Sequence, residues 1–185
     1  MTNWRPDFDP SHLYFITTKA VDHAKIFKRD VMKRLLIDTL DCFRLRKSLI
    51  LHVFVIMPNH IHLIVRCPPD NPVADLIRDY KKQTADRIIR HYQAEDNHKV
   101  LDILSSKAEK SDKQNYKVWE DGYNAKDIVS PKFLRQKTEY IHNNPCQPHW
   151  NLATDPTKYM WSSARFYLAG KPALIPVEDA KKLMV

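Results

Sequence analysis

No apolar run in these 185 residues approaches the ~20 needed to cross a bilayer, and Met1–Pro10 lacks the hydrophobic stretch of an export signal. Both absences lead to the expectation of a cytoplasmic protein with no membrane anchor. Cysteine is scarce. Cys42, Cys67 and Cys146 lie far apart and form no CxxC pair, which argues against a zinc ribbon or a disulfide framework and leaves them as small buried or half-buried apolar residues. No internal repeat is visible. Acidic residues are in deficit, 22 against 30 Lys and Arg, for a net charge of +8 and a pI near 9.3. A basic surface suits a polyanionic partner, because Lys and Arg displace counterions condensed on phosphates; a basic chain without such a partner is the other reading of charge alone. With 43% hydrophobic and 28% charged residues, the composition is that of a globular chain, read as one domain over residues 1–185.

Leu13 to Thr18 is rich in β-branched and aromatic residues and predicts a first strand. Asp30 is read as an N-cap, followed by an amphipathic helix to about Arg46. Leu49 to Met57 is a nearly continuous apolar run, expected of a central strand covered on both faces. Met57-Pro58-Asn59 signals a turn. His60 to Arg66 then alternates, with Ile61, Leu63 and Val65 to one side and His60, His62, Ile64 and Arg66 to the other. The two runs predict an antiparallel hairpin. Asn71-Pro72 predicts the cap and first position of a long helix with Arg78, Lys81 and Lys82 on a basic flank. The lysine-rich stretch 94–117 is read as a mobile polar insertion, with Val100–Leu104 as its one candidate short element. Short strands are expected at Tyr116–Trp119 and Ala125–Val129. Ser130-Pro131 caps a helix carrying Lys137, Tyr140, Ile141 and Asn144, which Pro145 ends. A tail from Cys146 is expected to pack back through a short helix near Trp161–Leu168. The order of elements predicts an α+β fold, a ferredoxin-like sandwich with an antiparallel sheet.

His60 and His62 project from the same face of their strand, so both imidazoles can reach one metal ion at roughly 2.0–2.2 Å. Two solvated histidines on a strand face are the plain alternative. Tyr140 and Asn144, four apart, share one face of their helix.

Taken together, Met57-Pro58-Asn59-His60-Ile61-His62-Leu63-Ile64, Lys81-Lys82-Gln83, Val118-Trp119-Glu120, Tyr140-Ile141-His142-Asn143-Asn144-Pro145 and Trp161-Ser162-Ser163 resemble the HUH single-tyrosine transposases, and within them the REP-associated tyrosine transposases. The resemblance covers about Leu13 to Leu168. It implies metal-dependent cleavage and joining of single-stranded or hairpin DNA, with Tyr140 as nucleophile and His60 and His62 as metal ligands. It points to Asn144 as third ligand, where insertion-sequence members carry the longer glutamine; His142 or water are the substitutes.

A phenol is a weak nucleophile at neutral pH, so a cation that polarises the scissile phosphate is needed. Two imidazoles and an amide add no charge, a donor set suited to Mg2+ or Mn2+ with retained waters. Arg78, Lys81 and Lys82 are candidate DNA-binding residues, or simply a solvated helix face. Trp119, Trp150 and Trp161 are candidates for base stacking or for the core. A nucleic-acid-binding module that does not cut, and a hydrolase that uses water, are the competing functions. Monomer and homodimer are both compatible with the sequence.

Overall fold

In the computed structural model, which describes residues 8–108 and 115–183, the core is built on a four-stranded antiparallel sheet. The chain runs β1 (Leu13–Lys19), α1 (Asp30–Leu45), β2 (Ile50–Ile56), β3 (His60–Arg66), α2 (Val73–Ala94), α3 (His98–Ser106), β4 (Asn124–Ile128), α4 (Pro131–Asn143) and α5 (Ala164–Ala169). Sheet order is β2-β3-β1-β4, with every neighbouring pair antiparallel. This is the ferredoxin-like α+β sandwich, with α3 added before β4 and α4 and α5 after it.

The alternation in β3 splits the core into two layers. Ile61, Leu63 and Val65 are buried on the face covered by α1 and α2, which pack on each other and are tied where the Tyr80 hydroxyl donates to the Leu36 carbonyl. His60, His62 and Ile64 face the other way, toward α4. Register places Thr17 and Val55 beside His62, and Lys19 beside His60.

The apolar run of β2 belongs to an edge strand, not a central one. It is nonetheless covered on both faces, and the C-terminal tail seals its open side. Ile56 N–H donates to the Trp161 carbonyl, Phe54 N–H to Ser163 Oγ, and Glu178 N–H to the Leu51 carbonyl. An unpaired edge invites association, and this tail removes it. The helix of the tail is α5, with Tyr159 and Trp161 buried just before it.

Helix starts differ from expectation by one residue in two places. Arg29 occupies the cap of α1, while Asp30 is its first residue, where its carboxylate meets Lys33 at 2.8 Å and still faces the positive helix end. Pro72 takes the cap of α2, and the Asn71 side chain, one residue earlier, donates its Nδ2 to the Ser48 carbonyl. Ser130 caps α4 as read, its Oγ accepting from Phe133 N–H. Pro145 does not force Asn144 out of helical angles; the chain passes from α4 directly into a 3-10 turn, Asn144–Cys146.

Within the stretch read as a mobile insertion, α3 is capped by Asn97 and buries Leu101 and Leu104; residues 109–114 of that stretch lie outside the described residues. Tyr116–Trp119 is no strand. Trp119 forms a lone bridge to Ala20, and its indole N–H donates to Thr84 Oγ1. Cys42 is exposed, unlike Cys67 and Cys146. Among the described residues no helix is long and apolar enough to cross a membrane.

Candidate active site

β3 sets the two histidines with ring centroids 4.6 Å apart, and α4 lays Tyr140 across them, its ring 5.2 Å from His62 and edge-on to it. Phe15, on the neighbouring strand, stacks on His62 at 5.5 Å and wedges Tyr140 at 6.2 Å. One turn on, Asn144 closes the same cleft, a cavity of about 400 Å3. Residues 60, 62, 140 and 144 are therefore neighbours within a single chain. Tyr140 is 46% exposed, an open hydroxyl-bearing ring beside two buried or half-buried imidazoles.

Each imidazole is oriented from behind. Asn59 Nδ2 donates to the His23 carbonyl at 3.0 Å, which turns its Oδ1 toward His60 Nδ1 at 2.6 Å. An amide oxygen only accepts, so His60 carries its proton on Nδ1 and leaves Nε2 as a lone pair. His62 Nδ1 lies 2.7 Å from Thr17 Oγ1, while its Nε2 is buried with no hydrogen-bond partner. Asn144 Oδ1 is buried and unpartnered as well. Its amide sits near enough to His60 to hold that ring's basicity up slightly, without forming a hydrogen bond of acceptable geometry.

Burial and then the Lys19 ammonium push His60 down to about 4. Burial, followed by His60, Lys137 and Lys19, holds His62 well below the usual histidine range. Both rings are therefore neutral at pH 7, the form that binds metals. Among the described residues no three His, Cys, Asp or Glu side chains cluster for a metal. The third donor facing the histidine pair is an amide. Asn59→Ala should free the His60 ring and weaken Mn2+ affinity by roughly 10- to 100-fold, read by calorimetric titration; unchanged affinity would remove Asn59 from this role.

His142 is not near the cleft as a substitute ligand. It lies on the far side of α4, 2% exposed, with Nε2 2.9 Å from Ser163 Oγ. Burial, then Lys181, lowers it to about 4. Between pH 6.5 and 4 the unfolded chain takes up a proton there that the native state refuses, so stability falls as pH falls through that window. His142→Gln should make this decline shallower by about 2–3 kcal/mol at pH 4, measured by urea unfolding across pH. An unaltered slope would count against it.

None of Arg78, Lys81 and Lys82 lines the cleft. Arg78 is held by Asp75 and Asp79, Lys81 donates to the Glu120 and Gly122 carbonyls, and Lys82 is exposed on α2. The cations near the cleft are others. Lys19 lines it, Lys25 lies 5.7 Å over the Trp150 ring, and Lys137 sits over Phe15, Phe133 and Tyr140 at 4.9, 5.2 and 5.5 Å. Burial and then Lys126 lower Lys137 from its ordinary value. Sequence placed Lys137 on the tyrosine helix, three residues before Tyr140, but its aromatic surround comes partly from another strand and was not readable. Trp119 and Trp161 are core residues, each 5% exposed. Trp150 is half-buried in the cleft, 5.8 Å from His60.

Residues 11–144 match the model of the family described as transposase, IS200-like. The chain belongs to that family. The matched span takes in His60, His62, Tyr140 and Asn144. Among solved structures, a REP-associated tyrosine transposase bound to a REP hairpin aligns over 97% of this IS200-like transposase and 93% of its own chain, at 17% identity and a TM-score of 0.65. A candidate transposase from Deinococcus radiodurans R1 aligns over 77% of this chain and 97% of its own, at 19% identity and a TM-score of 0.48. At these identities the first likeness concerns the fold, and the second adds no argument. No curated protein matches the chain.

Proposed function

We propose that this IS200-like transposase cleaves and rejoins single-stranded DNA through a covalent bond between Tyr140 and a 5′ phosphate. The observation that carries this reading is the convergence of an open phenol with two neutral imidazoles in one cleft of one chain. Attack of the Tyr140 oxygen on phosphorus breaks the bond to the 3′ oxygen; the phenol gives up its proton and the departing strand takes one to end as a 3′-OH. The phosphotyrosine keeps the energy of the phosphodiester. A 3′-OH from another strand can therefore reverse the step and join the ends without a nucleotide cofactor.

The donor set fits a divalent cation. Two lone pairs, on His62 Nε2 and Asn144 Oδ1, are buried without partners, and the tautomer of His60 frees its Nε2. His60, His62 and Asn144 would hold Mg2+ or Mn2+, which when bound neutralises charge on the non-bridging phosphate oxygens. Asn59 and Thr17 hold the rings still. Lys19 in the cleft lining and Lys137 over the Tyr140 ring add positive charge, and no Asp or Glu lines the cleft among the described residues to oppose them.

Tyr140 lies beside the histidines of its own chain, which supports chemistry within one subunit. The hairpin-bound relative supports hairpin DNA, opened into single strand at the cleft, as substrate. One continuous buried cluster from Leu13 to Ala180 supports reading the chain as a single catalytic unit.

The test is a library of labelled hairpin oligonucleotides with randomised single-stranded flanks, incubated with the protein and Mn2+. A labelled adduct that survives denaturing electrophoresis, needs Mn2+ and accompanies a free 3′-OH is expected. Retention of hairpins without any adduct across the library would leave a binding module instead.

A further inference from the structure

We propose that Trp150 is a stacking platform for the base attached to the nucleotide next to the scissile phosphate. This rests on the reading of the cleft as a DNA-cleaving site and assigns it a nucleotide subsite.

The indole is presented on a tightly closed turn. Gln147 N–H donates to the Asn144 carbonyl, Trp150 and Asn151 N–H both donate to the Gln147 carbonyl at 2.9 Å, and Leu152 N–H returns to the Pro145 carbonyl. Asn151 adopts a left-handed φ of 45°, a conformation that asparagine tolerates better than most residues. Trp150 is thereby tied, a few residues on, to the turn that begins at Asn144.

Its surroundings distinguish it from the other described tryptophans. Trp119 spends its N–H on Thr84, and Trp161 is buried. Trp150 is half-buried and lines the cleft. Its ring lies 5.8 Å from His60 and 5.6 Å from His149, both tilted by 49°, with the exposed Lys25 ammonium 5.7 Å from its centroid. A half-buried aromatic plane with a lysine ammonium beside it is the arrangement that holds unpaired bases while tracking their backbone. A phosphate at the histidine pair has its own nucleotide within reach of the indole. The absence of carboxylates from the described cleft lining argues against a cationic peptide there. Stacking accepts any base, so the subsite serves grip and positioning rather than sequence readout.

The experiment uses full-length Tyr140→Phe protein, which keeps the cleft without cutting. Single-stranded oligonucleotides carrying one abasic site, moved position by position, are bound in Mn2+ and followed by fluorescence anisotropy. One position should weaken binding by roughly 10- to 100-fold. Adding Trp150→Leu, which keeps apolar bulk but cannot stack, should weaken the intact oligonucleotide by a similar factor and erase the penalty at that position. Trp150→Phe should restore both. Abasic penalties that are identical with tryptophan and leucine at every position overturn the proposal, as does a leucine variant that binds the intact strand as tightly as its parent. Adduct formation by the wild type with a flat abasic scan sinks the stacking role alone. A base-dependent scan without any adduct sinks the cleavage reading and leaves Trp150 a DNA contact.

Discussion

Tyr140→Phe should abolish the covalent DNA adduct and lower strand cleavage by roughly 10³-fold or more, with hairpin binding preserved. The substitution removes a single oxygen. The ring keeps its edge contact with His62 and its wedge against Phe15, and with 46% of the residue exposed the hydroxyl supports little of the fold. Loss of activity would thus report on the nucleophile and not on unfolding. The outcome also divides the competing mechanisms, since a hydrolase that activates water at the histidine pair would still cut and would release a 5′ phosphate. Continued cleavage by the Phe variant, scored by denaturing gel with end-labelled DNA, would sink the phosphotyrosine step. The same variant should bind Mn2+ as the wild type does, because His60, His62 and Asn144, the proposed ligands, are untouched.

His62→Ala should lower Mn2+-dependent cleavage by roughly 10²-fold or more and weaken Mn2+ binding with it. His62 is 4% exposed and sits between Phe15, His60 and Tyr140, so alanine also leaves a gap beneath the Tyr140 ring. His60→Ala, a change at the half-buried rim, controls for that. Both variants should lose activity together, and raised Mn2+ should recover part of it. Calorimetric or spin-resonance titration of Mn2+ against the wild type, His62→Ala and Tyr140→Phe gives the decisive contrast. Metal binding should fail in the histidine variants and survive in the tyrosine variant, while cleavage fails in all. Full cleavage by His62→Ala, or by the wild type in excess chelator, would remove the metal from the mechanism.

The elements nearest the site were legible because their signals are local. Strict alternation in His60 to Arg66 set both histidines on one face, and the four-residue spacing of Tyr140 and Asn144 set them on one side of a helix. Helix boundaries were less so. A cap is decided by which partner a side chain finds in three dimensions, and the Asp30 carboxylate accepts from Lys33 while the Asn71 amide N–H donates to the Ser48 carbonyl. Within the stretch 94–117 the short apolar run Val100–Leu104 marks where α3 forms, and burial of Leu101 and Leu104 seats that helix on the core over the longer span His98–Ser106. β2 was read as central because an edge strand covered on both faces looks identical in sequence to an inner one; only the tail's return to its open side accounts for the burial.

The sequence by itself determined the sheet-and-helix alternation, the basic balance of charge, and which residues could share a face, since these follow from side-chain periodicity and composition. Only the tertiary structure decided which faces meet. Lys19, Lys25, Lys137 and Trp150 come to the cleft from separate segments, while Arg78 and Lys81 are tied off elsewhere and His142 turns into the core. Packing between distant segments obeys no sequence period, so the electrostatic and aromatic surround of the histidine pair had to be seen in three dimensions.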